Sequence, residues 1–157
     1  EFLKNFPMMV KSVMLINSTP VEDSVEKRKI RERSVKVVGE NKKAYVKMAI
    51  SNLYSESSKE KFAEEIKNLI SRATEMKVKN IQAALKGMKI RTNYLEVLES
   101  FKGQKIIAAS EEDPVLEISE LEKVSNETGS SLHKLKNGHN SYMEDISNLV
   151  QTMYFID

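Results

Sequence analysis

Lys105-Ile106-Ile107-Ala108-Ala109, running into Ser110-Glu111-Glu112-Asp113-Pro114, is the stretch that decides the fold. A short, nearly unbroken apolar run reads as a strand buried on both faces, the kind found in parallel sheets covered by helices on each side. Gly103 breaks a helical pattern before it, and Pro114 stiffens the acidic loop after it. Downstream, Ile118, Leu121 and Val124 recur at helical spacing up to Gly129. Ser130 to Lys136 then alternates, with Leu132 and Leu135 apolar, and Asn137-Gly138-His139-Asn140 reads as a turn in which Gly138 permits a tight bend. Ser141 and Glu144 have the spacing of a capping box for a last helix whose face is Met143, Ile146, Leu149, Val150 and Met153. Strand, helix, strand, helix in that order implies a parallel sheet.

Upstream, Val10 to Asn17 is a second buried-strand run. Thr19-Pro20-Val21-Glu22 reads as a helix start, with Thr19 as N-cap, Pro20 in the first helical position and Glu22 closing a capping box. From about 20 to 101 the pattern is helical. One helix ends near Gly39 and a second runs from Asn41 to Leu53. A third opens on a Ser57–Glu60 capping box and carries Phe62, Ile66, Leu69, Ile70 and Ala73. A fourth uses Val78, Ile81, Ala84, Leu85 and Met88, and a short fifth follows Thr92. At the start, Phe2, Leu3 and Phe6 read as the last turn of a helix stopped before Pro7, as though the chain were cut from something longer. The fold class is therefore α/β: a three-stranded parallel sheet with a layer of helices inserted between its first and second strands.

Composition narrows the function. With 40% hydrophobic and 31% charged residues, the chain suits a folded domain rather than a disordered one. A net charge of +2 gives no general reason to expect nucleic acid as partner. Zero cysteines exclude disulfides, thiolate metal sites and cysteine nucleophiles, and two histidines exclude a histidine-rich metal site. No apolar run is long enough to span a bilayer. No metal, cofactor or membrane partner is expected, and the cysteine count favours the cytoplasm. The charge is unevenly spread: residues 111–157 sum to −7 and the remainder to +9. Lys27-Arg28-Lys29 with Arg31 and Arg33 reads as a solvated helix face, and the uneven charge otherwise points to attraction between the two regions or to an anionic ligand.

Asp113 and His139 are the residues that carry chemistry. Each lies just beyond the end of a predicted parallel strand, where open α/β sheets bind their ligands. A carboxylate beside an imidazole fixes its tautomer and stabilises its protonated form. Glu112 is the alternative acid. Ser141 is close to His139 but is accounted for as a cap, His133 sits within a strand pattern, and Ser18 and Thr19 follow a strand end. Met48, Leu53, Tyr54 and Met88 are candidates for an apolar substrate pocket, against core packing as the default for such stripes.

In these segments the chain resembles the C-terminal portion of the α/β-hydrolase superfamily, in its cap-containing serine-hydrolase form. Leu15-Ile16-Asn17-Ser18-Thr19-Pro20 resembles the strand before the cap, and Ala83-Ala84-Leu85-Lys86-Gly87-Met88 the return from cap to core. Ser110-Glu111-Glu112-Asp113-Pro114 resembles the acid loop, although the family often has Gly at the place of Ser110, and Gly138-His139-Asn140-Ser141 resembles the histidine loop. The resemblance implies core at 1–19, helical cap at 20–92 and core at 93–157. It makes Asp113 the triad acid and His139 the general base, in the family's order of serine, acid, histidine. The departure is equally plain: none of the glycines at 39, 87, 103, 129 and 138 forms the Gly-x-Ser-x-Gly elbow, and the oxyanion-hole loop that would lie upstream is absent.

Two functional expectations result. In the first, the chain is the cap and C-terminal core of a serine hydrolase for small apolar esters or related carbonyl substrates. It lacks the nucleophile and is inactive alone. In the second, it is a non-catalytic fragment or interaction module whose first strand leaves an exposed sheet edge, so that it associates with a missing N-terminal half or a second copy of itself.

Overall fold

Strand β1 (Ser12–Ile16) lies parallel to β2 (Gln104–Ser110), and β2 parallel to β3 (Ser131–Leu135), so the sheet order is β1–β2–β3. The computed structural model describes residues 1–156. Period-two alternation assigns the central strand's side chains to two clusters. Ile107 and Ala109 pack with Leu116, Leu121 and Val124, whereas Ala108 packs with Leu135 and Leu149. The register sets Leu15, Ile107 and Leu132 side by side, and Leu15 and Leu132 extend the first cluster. Ile106 through Ser110 are all buried, as a strand covered on both faces requires.

Helix α7 (Ile118–Thr128) supplies the first of these covers through Leu121 and Val124. It ends where Gly129 takes φ +64, a left-handed conformation that glycine adopts without strain. Below that end the Ser125 hydroxyl donates to the Ser130 carbonyl at 2.6 Å. The other cover comes from α9 (Ile146–Met153) through Leu149. A short α8 (Ser141–Glu144) precedes it, so the single last helix expected from the sequence is broken at Asp145. The strand expected over Val10–Asn17 is shorter and is not buried on both faces. Its residues are half-buried, and Ile16 is 39% exposed, because β2 is its only strand partner among the described residues.

The chain divides into two compact units. One comprises Glu1–Val21, Leu53–Ser58 and Asn93–Asp157, of which Asp157 lies outside the described residues. It holds the sheet, α1 (Phe2–Asn5), α6 (Leu95–Ser100) and α7 to α9. The second comprises Glu22–Asn52 and Lys59–Thr92 and is built from α2 (Val25–Ser51), α4 (Ala63–Glu75) and α5 (Val78–Lys89), with α3 (Glu56–Lys61) crossing the boundary. Residues 53–58, which the sequence reading leaves inside the helical block, group with the sheet.

Several helix starts differ from expectation. No helix begins at Pro20: Thr19 Oγ1 instead accepts from the Val21 amide within a tight turn, and the helix starts at Val25, capped by Ser24 Oγ accepting from the Lys27 amide. Asp23, almost wholly buried, explains the delay. Its carboxylate takes Arg31 Nε at 3.1 Å and Arg91 Nη2 at 2.9 Å, and its carbonyl takes Arg28 Nε at 2.9 Å. The break expected at Gly39 to Asn41 is present, as a kink that divides α2 into two helical runs. Asn41 leaves helical geometry (φ −146, ψ 74), and its Oδ1 caps the next turn by accepting from the Ala44 amide. Ser57 and Glu60 lie inside α3 and cap nothing at the α4 start, which follows Phe62.

Candidate active site

Three parallel strands must end at the same side of their sheet, so Asn17, Ser110 and Leu135 bring their following loops together. The ladder continues past the last strand pair, with the Glu111 amide donating to the Leu135 carbonyl at 2.9 Å and the Glu112 amide to the Asn137 carbonyl at 3.1 Å. These two bonds tie the acid loop to the loop that carries His139.

Within that frame Asp113 Oδ2 and His139 Nδ1 are 2.8 Å apart. The Asp113 side chain is fully buried, and that of His139 is 24% exposed. Every acceptor position of the carboxylate is used: Oδ1 accepts from the Val115 amide at 2.8 Å and the Leu116 amide at 3.1 Å, and Oδ2 also accepts from Asn17 Nδ2 at 3.1 Å. Burial alone pushes the Asp113 carboxyl up. The hydrogen bonds from His139, Val115 and Asn17 outweigh it and hold the group below its ordinary 3.8. An ionised Asp113 keeps the proton of a neutral imidazole on Nδ1, leaving the lone pair on Nε2, which has no hydrogen-bond partner among the described residues. Glu112 is exposed, and only its backbone amide takes part, so the structure brings Asp113 rather than its neighbour to the histidine.

Asn17 is the residue the sequence reading passes over. It ends β1 in a left-handed conformation (φ 42) that asparagine tolerates, and it is buried. Its Nδ2 donates to Ser110 Oγ at 2.7 Å as well as to Asp113, and its Oδ1 accepts from Ser141 Oγ at 2.6 Å. One amide thus joins the end of β1 to the end of β2, to the acid loop and to the start of α8. Ser141 is engaged here and does not cap its helix; no side chain caps α8.

Glu144, the other half of the expected capping box, does different work. Its buried carboxylate accepts from the amides of Ser55, Gly138 and Asn140, each at 3.1 Å, and from Ser55 Oγ at 3.3 Å. It therefore clamps the residues on either side of His139 onto segment 53–58, and the His139 amide adds a 2.8 Å bond to the Leu53 carbonyl. Gly138 is required for room and not for a bend, since the left-handed residue of this turn is Asn137 (φ 66). A Cβ at Gly138 would lie 2.5 Å from the Ser55 nitrogen and 2.7 Å from Glu144 Oε2.

The remaining candidates are spread out. Tyr54 is buried with its hydroxyl 3.4 Å from Met143 Sδ, and half-buried Leu53 meets His139 through its backbone. Met48 and Met88 belong to the helical unit and are 52% and 38% exposed. His133 is in β3, its ring tilted against Phe155 at 5.2 Å. Among the described residues no group of three or more His, Asp or Glu is placed to hold a metal ion, and no helix is long and apolar enough to cross a membrane.

No protein-family model and no curated protein sequence matches the chain. Solved structures do. A thermophilic esterase from Thermogutta terrifontis superposes with a TM-score of 0.84 at 19% identity, over 98% of this chain and 57% of its own. MGS-M2, an α/β-hydrolase from a Medee basin deep-sea metagenome library, gives 0.82 at 19% over 96% and 57%, and the enol-lactonase from Burkholderia xenovorans LB400 gives 0.83 at 12% over 98% and 58%. The chain has the fold of the C-terminal portion of an α/β-hydrolase. It spans a little under three fifths of the length of these structures. As a part of an α/β-hydrolase fold, it places Asp113 and His139 in loops that follow adjacent parallel strands.

Two outcomes follow from these bonds. Glu144→Ala leaves three buried amides without their acceptor, and equilibrium urea unfolding should show a loss of about 3 kcal/mol or more. Asp113 has a lower pKa folded than unfolded, so its contribution to stability is complete above the unfolded value and disappears as pH falls through the folded one. Asp113→Asn should therefore flatten the acid limb of the stability–pH curve below the ordinary carboxylate range, which urea titrations of both proteins at a series of acid pH values will read.

Proposed function

We propose that the chain supplies the helical cap and the acid–base pair of a serine-type α/β-hydrolase acting on small, mostly apolar esters or related carbonyl substrates. The 2.8 Å contact between His139 Nδ1 and Asp113 Oδ2, in the loops after adjacent parallel strands, carries this reading. In it, a serine hydroxyl attacks the substrate carbonyl carbon while His139 Nε2 takes its proton. The tetrahedral oxyanion collapses, the C–O bond to the alcohol breaks, and His139 returns the proton to the departing oxygen. His139 then deprotonates a water that attacks the acyl-serine, releasing the acid and restoring the serine. Asp113 holds the ring in the required tautomer and offsets the charge of the imidazolium formed in each half. Likeness to structures described as an esterase and an enol-lactonase supports carboxylic ester chemistry.

The sequence has no Gly-x-Ser-x-Gly segment, so this reading assigns the nucleophile and the oxyanion hole to polypeptide other than these 157 residues. It also places the working enzyme in the cytoplasm, where a cysteine-free chain is at no disadvantage. The isolated chain should not hydrolyse p-nitrophenyl butyrate in a His139-dependent way. Adding a polypeptide that carries the nucleophile elbow should restore turnover, and His139→Ala should lower that turnover about a thousandfold or more. Turnover by the chain alone that vanishes in His139→Ala would overturn the silent state, and complemented turnover indifferent to His139 would overturn the assignment of the base.

A second reading rests on β1, whose outer edge has no strand partner among the described residues. An unpaired edge is a template for another strand, and the non-catalytic alternative is a module that pairs this edge with a second copy of the chain. Light scattering at high concentration should then report a dimer. A monodisperse monomer removes this reading and leaves the first untouched.

A further inference from the structure

A groove of about 510 Å³ runs between α2 and α5, wholly within the helical unit. That volume is in the range of small-molecule sites, roughly 300–1,000 Å³. Its apolar lining is Val35 and Leu85. Around them stand Lys29, Arg31, Arg33 and Lys36 from α2 and Lys86 and Lys89 from α5, against a single acid, Glu32. Arg31 is taken by Asp23 and Lys89 by Glu32. Lys29 and Lys36 interact with the charge of Glu32, whereas Arg33 and Lys86 have no ion pair or hydrogen-bonding side chain among the described residues.

We infer that this groove binds an organic phosphate with an apolar body, its phosphate held by Arg33, Lys36 and Lys86 and its body resting on Val35 and Leu85. Charge decides the head group. Six cations against one carboxylate leave the groove with an excess of positive charge, which matches a phosphate carrying about two negative charges better than a single carboxylate, and Arg33 adds the planar fork suited to phosphate oxygens. The apolar lining decides the body, because inorganic phosphate would leave the half-buried Val35 uncovered. Its lining includes no residue of the site described around His139, and the inference does not rest on the hydrolase reading.

The test is a titration of the whole chain with n-hexyl phosphate, inorganic phosphate and hexanol, followed by amide proton–nitrogen NMR. Hexyl phosphate should give saturable shifts in amides 29–36 and 85–89, with the other two probes binding at least about tenfold more weakly, since each engages only half of the groove. Affinity should fall as salt rises from about 0.01 to about 0.15 M, which shortens the screening length from roughly 30 to roughly 8 Å. Arg33→Gln and Lys86→Gln should each weaken binding about two- to fivefold, with far-UV circular dichroism unchanged. Shifts that do not saturate or that fall elsewhere, affinities untouched by both substitutions, or inorganic phosphate binding as tightly as hexyl phosphate would each overturn the proposal. Binding to anionic phospholipid vesicles without any response to monomeric hexyl phosphate would overturn it in favour of a membrane surface.

Discussion

Ile107 and Ala109 face one core cluster and Ala108 faces the other, so the central strand needs a layer on each side and a neighbour at each edge. Backbone groups buried this deeply must be paired, and parallel pairing meets that demand only if the chain leaves the sheet and returns through a covering element. Helix α7 is that element between β2 and β3. Because the three strands run the same way, their exits fall on one side, and polar residues excluded from the core are collected there. The meeting of Asn17, Asp113 and His139 is thus a consequence of how β2 is buried.

Two buried carboxylates divide the work at that edge. Asp113 spends its four acceptor positions on two amides, an asparagine and the imidazole, which fixes the ring. Glu144 spends its positions on amides and a hydroxyl and fixes the loop that carries the ring. The first sets which nitrogen of His139 holds the proton. The second sets where that nitrogen is. An imidazole held by only one of them would have either the right tautomer in a wandering loop or a fixed loop with a free tautomer.

What could be read from the sequence was what local pattern dictates. The central strand was legible because burial on both faces forces an apolar run, and Asp113 and His139 were legible because they follow strand ends. Asn17 and Glu144 were not. Their partners lie 93, 96 and 124 residues away for Asn17 and 89 residues away for the Ser55 contact of Glu144, and no local pattern records them. Ser141-x-x-Glu144 has the form of a capping box, but tertiary donors and acceptors claim both side chains. Thr19-Pro20 likewise has the form of a helix start, and it is overruled by the turn at Val21 and the burial of Asp23 between two arginines. The break before Asn41 was legible from Gly39, and the backbone does leave helical geometry there.

The bonds between segment 53–58 and the histidine loop have a mechanical consequence. This short segment is where the chain passes from one half of the helical unit to the other, and it holds His139 through its own backbone and through Glu144. His139 is therefore fastened at two points: to Asp113 by its side chain and to Leu53 by its main chain. Thermodynamic linkage makes such a fastening run in both directions. Whatever favours one placement of residues 53–58 favours the matching placement of His139 by the same free energy, and whatever engages His139 pulls back on the segment with equal strength.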